Sequence, residues 1–97
     1  MGGAVKVEWS KDALADLDRF ARFLQQRDPV LAGIIANEII RTVQRLSEYP
    51  RLGRPLTGHQ EYRQVVMQIM NAAYVIQYRI DGERLVILRV FHGREMR

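Results

Sequence analysis

The sequence predicts an α+β fold of order β-α-α-β-β-β, with a helical hairpin packed on one face of a mainly antiparallel sheet. Three observations predict it. Apolar and charged residues alternate over residues 5–9; apolar positions recur at helical spacing from residue 11 to residue 49, broken once at Asp28-Pro29; and from Glu61 onward the spacing returns to two. With 97 residues, 47% of them hydrophobic, the chain has material for one core, so residues 1–97 are read as a single domain.

Val5, Val7 and Trp9 alternate with Lys6 and Glu8, the pattern of a short half-buried strand. Ser10 ends it and caps a helix over residues 11–26, with Asp12 and Asp16 in the early turns where the helix dipole favours anions. At about 100° per residue, Ala13, Leu14, Leu17, Phe20, Ala21 and Leu24 form one apolar stripe centred near Leu17. Asp28-Pro29 then supplies a cap and a first-turn proline for a second helix running to about Tyr49. Its stripe is Ala32, Ile35, Ala36, Ile39, Val43 and Leu46, and Gly33 is read as a point of close helix approach. Pro50, Gly53, Pro55 and Gly58 punctuate an irregular connection. Three strands follow, turning at Asn71-Ala72 and at Asp81-Gly82. Two-residue turns there align Ile69, Tyr74 and Arg89, then Met67, Ile76 and Ile87, then Val65, Tyr78 and Leu85, on the face that takes the helices. The opposite face keeps Val66, Val75, Val86, Leu88 and Val90 among glutamines, too apolar for solvent alone.

The chain has no cysteine, which excludes disulfides and thiolate metal sites and suits a reducing compartment. No signal-peptide pattern opens it and no run is long enough to cross a bilayer, so the expected location is cytoplasmic, with no membrane partner. Nothing implies a metal or a cofactor. Lys and Arg balance Asp and Glu at 7 and 7 over residues 1–48 but stand at 8 and 4 over residues 49–97, and all eight of those cations are arginine. A mildly basic sheet explains this, as does an anionic partner, for which the planar guanidinium fork is suited.

Read in order, Trp9-Ser10, Asp28-Pro29, the helix end Leu46-Ser47-Glu48-Tyr49-Pro50-Arg51-Leu52-Gly53-Arg54-Pro55, Tyr62-Arg63, Tyr74-Val75-Ile76-Gln77-Tyr78-Arg79 and Ile87-Leu88-Arg89-Val90-Phe91-His92-Gly93-Arg94 resemble the ParE/RelE toxin family along nearly the whole chain, nearer its ParE-like branch. The resemblance implies a toxin of a type II toxin-antitoxin system, paired with a ParD-like antitoxin in a hetero-oligomer. ParE-like members act on DNA gyrase and stall replication, whereas RelE-like members cut messenger RNA on the ribosome. Of the ribonuclease set that RelE-like members carry, Arg63 matches the first basic site and Arg94 the late arginine. The second basic site falls on Val65, the middle-strand arginine on about Val75, and the tyrosine beyond Arg97. The resemblance therefore implies gyrase inhibition first. A ribosome-dependent endoribonuclease using Arg63, Arg89, His92 and Arg94 is the alternative, and an interaction module that keeps only antitoxin binding is a third reading.

The individual residues admit two readings each. Cleavage at a ribose 2′-OH needs a base and an acid beside its cations, and arginine supplies only the cation. His92, beside Arg89 and Arg94, is the attractive base candidate, against a structural or target-contacting histidine. Arg63 and Arg89 are target contacts or rim side chains whose stems cover the core. Trp9 reads as a hydrophobic anchor before a target contact, and Tyr74 and Tyr78 as core residues before base-stacking ones. His59 is assigned no role. Phe23 lies off the first helical stripe and Ile34 and Ile40 off the second. They are scattered surface residues, or the wall of a groove that receives an amphipathic antitoxin helix.

Overall fold

A computed structural model describes residues 4–93. The chain runs β1 (Lys6–Trp9), α1 (Lys11–Arg27), α2 (Pro29–Glu48), a 3₁₀ turn at Pro50–Leu52, then β2 (Arg54–Leu56), β3 (His59–Ile69), β4 (Ala72–Asp81) and β5 (Arg84–His92). One sheet of order β1-β5-β4-β3-β2 results, antiparallel except where β1 runs parallel to β5. The expected α+β order is present. The connection after α2 is more ordered than its prolines and glycines suggest, since β2 pairs with β3 and extends the sheet by one short strand.

Both helices start where the caps place them. The Ser10 hydroxyl accepts from the Ala13 N–H at 3.0 Å and the Asp28 carboxylate from the Leu31 N–H at 3.1 Å; such caps are each worth about 1 kcal/mol. The core lies between the hairpin and one sheet face, where Leu46, Ile76, Tyr78, Leu85, Ile87 and Val90 are sealed from solvent. Trp9 packs against the edge of this core, and Tyr74 and Tyr78 are core residues.

The expected stripe on α2 is buried at Ala32, Ile35, Ile39, Val43 and Leu46, but Ala36 is exposed. On α1 the buried arc is rolled toward Asp16: Ala13 and Asp16 are enclosed, Leu17, Phe20 and Leu24 half-buried, while Leu14 and Ala21 face outward. Gly33 makes no close helix contact, for a Cβ placed there would meet nothing within 4 Å. The position instead lines an open cleft between the helices.

Both hairpin turns sit one residue from their expected places. Ile69 pairs with Ala72 and Asp81 with Arg84, leaving Met70-Asn71 and Gly82-Glu83 as the turns. Each puts its positive φ at the first central position, 57° at Met70 and 62° at Gly82, where one type of hairpin turn requires it. A one-residue move of a turn shifts the register by two, so Met67 faces Tyr74 and Val65 faces Ile76 without any side chain changing face. A bulge in β5 does change faces. Tyr78 pairs with Ile87 but Gln77 with Arg89, so Leu88 is an extra residue. Val90 consequently turns into the core instead of lying on the outer face, and His92, not Arg89, stands opposite Tyr74.

Candidate functional site

The bulge organises one end of the molecule. Ser10 clamps it from the start of α1, its N–H donating to the Ile87 carbonyl at 2.9 Å and its hydroxyl to the Leu88 carbonyl at 2.9 Å. Two turns into α1, the Asp16 carboxylate is buried at 1% exposure. Its Oδ2 accepts from Arg89 Nε at 2.8 Å and from the Val90 N–H at 2.8 Å; its Oδ1 accepts from Arg89 Nη2 at 3.0 Å and Arg19 Nη1 at 2.9 Å. Burial alone would raise the Asp16 carboxyl, but the bonds from Arg89, Val90 and Arg19 outweigh it and hold the group below its ordinary value.

Around this anchor the side chains of Arg89 and Arg19 remain 47% and 45% exposed. The Arg19 guanidinium lies 5.0 Å from the Phe20 ring centre, Phe20 meets Tyr74 edge-on at 5.8 Å, and Tyr74 meets His92 edge-on at 5.1 Å. A cavity of about 260 Å³ opens here between Arg19, Phe20, Phe23, Leu24, Tyr74 and His92. Burial raises the Tyr74 phenol above its usual value, so it stays protonated.

Arg89 on β5 and Arg63 on β3 stand at neighbouring levels of the sheet, beside Gln77 and Tyr78 of the β4 strand between them, but Arg89 binds Asp16 of α1 whereas Arg63 is turned into its own loop. Arg63 stands opposite Tyr78, and His92 opposite Tyr74, four residues of extended strand away, about 13 Å at the usual rise. Arg63 is only 6% exposed. Its guanidinium donates to the carbonyls of Gln60, Gly53 and Arg51 at 2.9, 2.9 and 3.2 Å and to Gln60 Oε1 at 3.0 Å. The same loop is tied from below by Tyr78, whose hydroxyl donates to the Pro50 carbonyl at 2.6 Å and accepts from the Gly53 N–H at 2.8 Å. Gly53 has to be glycine, because a Cβ would stand 2.6 Å from the Tyr78 hydroxyl and 2.8 Å from the Gln64 carbonyl oxygen. Arg94 lies outside the described residues.

Asp16 is the residue that sequence reasoning missed. The sequence reads it as an anion in the dipole-favoured early turns of α1, yet its spacing from Ala13, Leu17 and Phe20 puts it beside the apolar stripe. An ionisable residue there is a signal that a partner charge comes from elsewhere in the fold. Among the described residues no group of three His, Cys, Asp or Glu is arranged to hold a metal, and no described helix is long and apolar enough to cross a membrane.

A second surface lies between the helices. A cleft of about 290 Å³ is floored by Trp9, Ile35 and Ile39, walled by Leu17 and Leu24, and kept open by Ala21, Gly33 and Ala36. Ile40, 53% exposed, is on its rim. Phe23, 54% exposed under the Arg27 guanidinium, lines the neighbouring cavity with His92, and Ile34 is 38% exposed and lines neither.

Residues 7–97 match the family model for the ParE toxin of the type II toxin-antitoxin system parDE. The toxin ParE3 of Caulobacter vibrioides is 35% identical over 90 residues, 92% of this chain and 87% of that protein. The toxin RelE3 of the same organism is 31% identical over 91 residues, covering 94% of this chain and 97% of the relative. Among solved structures, a chain of the toxin-antitoxin complex RelBE2 from Mycobacterium tuberculosis superposes with a TM-score of 0.61 at 26% identity, over 93% of this chain and 99% of that one.

Proposed function

Because the chain belongs to the ParE toxin family of type II toxin-antitoxin systems, within the wider ParE/RelE superfamily, we propose that it is a cytoplasmic toxin that binds DNA gyrase, blocks replication and is neutralised by a ParD-like antitoxin. Arg89, His92 and Arg94 contact the target in this reading, and Arg63 serves the fold. The observation that carries it is the enclosure of Arg63. A phosphodiester-cleaving centre needs its cations, base and acid around one phosphate, whereas Arg63 is 6% exposed, donates into its own loop and stands four residues of β4 from the level of His92. Val75, the position of the RelE-type middle-strand arginine, is 2% exposed and flanked in register by Val66 and Phe91.

The antitoxin meets the helical hairpin. A largely apolar cleft between the two helices fits an amphipathic segment, and each side chain fully buried there contributes about 1.5–3 kcal/mol. Ile40 and Phe23 flank that path on two sides of the wall formed by Phe20 and Leu24, with Ile34 farther out on α2.

Induction of the protein without its antitoxin tests the target. Arrested replication with DNA breaks and intact transcripts is the expected outcome, together with inhibition of purified gyrase in a supercoiling assay. Prompt transcript cleavage, with gyrase unaffected, would assign the ribonuclease activity of the RelE branch instead.

A further inference from the structure

We infer that Asp16 is the positioning residue of the Arg89 face: from inside the fold, its one carboxylate orients arginines from α1 and β5 toward an acidic surface of the protein target. The inference rests on the gyrase reading above. Both Asp16 oxygens are saturated by four donors from two elements, α1 and the bulged part of β5. One carboxylate orders two guanidinium groups from two elements at once. It fixes their direction and leaves both side chains about half exposed. An arginine stem at that exposure otherwise samples many rotamers and loses that freedom on binding. Prior immobilisation removes that cost from the encounter.

Position supports the same conclusion. Asp16 also accepts from the Val90 N–H, two residues past the extra residue Leu88, so the carboxylate sets the bulge from which Arg89 projects and after which His92 reaches Tyr74. One buried group therefore holds the arginine pair and the strand that carries His92. It is itself 1% exposed and out of reach of a macromolecular target.

The test compares wild type, Asp16→Asn, Asp16→Glu and Arg89→Ala, each checked for folding by its thermal midpoint, in equilibrium binding to purified gyrase and, separately, to the antitoxin. Asp16→Asn and Arg89→Ala are each expected to weaken gyrase binding at least 10-fold, Asp16→Glu less, with antitoxin affinity held within threefold. The gyrase-against-antitoxin split is the readout that a merely structural role would not move, and the Arg89 Nε–H resonance in ¹H–¹⁵N spectra reports whether Asp16 holds Arg89 in solution. It should be slowly exchanging in wild type, shift as Asp16 protonates in acid, and lose its protection in Asp16→Asn. Gyrase affinity unchanged in a folded Asp16→Asn while Arg89→Ala loses it overturns the positioning role and leaves the target reading intact. If Asp16→Asn does not fold, an Arg89 resonance in wild type that exchanges freely and ignores acid overturns the role equally. A wild-type protein that fails to bind gyrase overturns the target reading itself, and the inference falls with it before any substitution is made.

Discussion

Arg63 on β3 and Arg89 on β5 stand in opposite surroundings. Arg63 is closed in at 6% exposure and answered by backbone carbonyls of the loop it fastens. Arg89 is answered by a carboxylate from a helix 73 residues away and keeps 47% of its side chain in solvent. Carbonyls satisfy the donors of the enclosed Arg63 guanidinium, which lowers the cost of burying it and ties it to its loop. A carboxylate fixes the direction of the Arg89 guanidinium while 47% of that side chain stays in solvent, which suits a group that meets something. Two arginines in similar strand contexts thus divide between holding the fold and facing a partner, and exposure with counter-charge, not residue type, separates them.

The sharpest attempt to break this comparison replaces each arginine with methionine, which keeps most of the stem. Arg63→Met strands the carbonyls of Arg51, Gly53 and Gln60 and should cost about 3 kcal/mol in urea unfolding. Arg89→Met leaves Asp16 with Arg19 and the Val90 N–H, and at half exposure solvent screens the loss, so about 1–2 kcal/mol is expected. An Arg89→Met cost equal to or above that of Arg63→Met would abolish the distinction.

Next in size is Tyr78→Phe, which removes the hydroxyl between Pro50 and Gly53 and should destabilise by about 1–3 kcal/mol. In the paired assays it should leave gyrase affinity at its wild-type level below the melting range; a selective loss of target binding would mean that the loop cluster is not purely internal.

Acid sharpens the other side. Asp16 has its folded-state value lowered below the ordinary ~3.9. The stability it adds is therefore fully present above that value and is lost as pH falls through the lower, folded one. The gap in thermal midpoint between wild type and Asp16→Asn should be constant from neutrality to about pH 5 and shrink below pH ~4. A gap that widens in acid would mean that the carboxyl is raised by burial and not held down by Arg89.

The smallest effect is expected at Gly33. Its Cβ position is open and its backbone helical, so Gly33→Ala should stabilise the free protein by about 0.5–1 kcal/mol, read from the denaturant midpoint. A loss of stability instead would show that the helices come together there. Antitoxin affinity of the same variant reports whether the cleft needs that gap.

Much of the fold was legible because it is written in local spacing. Both caps, both helices, the α2 stripe and the inward faces of β3 and β4 follow from side-chain period and turn chemistry. The turns missed by one residue cost little, since a shift of two in register preserves every face. What was not legible in β5 has one cause. The bulge at Leu88 inverts the inside-outside order of β5 beyond it, and nothing in the apolar and polar pattern of Leu88-Arg89-Val90 marks which residue is the extra one. Asp16 was half legible, since its spacing placed it beside the apolar stripe while its partner was not in view. β2 was hidden by prolines and glycines that read as loop, although an edge strand tolerates Pro55.

By itself the sequence determined the order of the elements, the two helical caps, the core-facing positions of the middle strands and the family resemblance. Each of these depends on neighbours within a turn or two of chain, where spacing and side-chain chemistry act directly. Only the tertiary structure decided that Arg63 turns inward while Arg89 stays at the surface, that His92 meets Tyr74, and that α1 rolls to bury Asp16. Those choices turn on bringing a carboxylate and a guanidinium 73 residues apart within 2.8 Å. The strength of such a contact depends on burial and geometry that no stretch of sequence specifies.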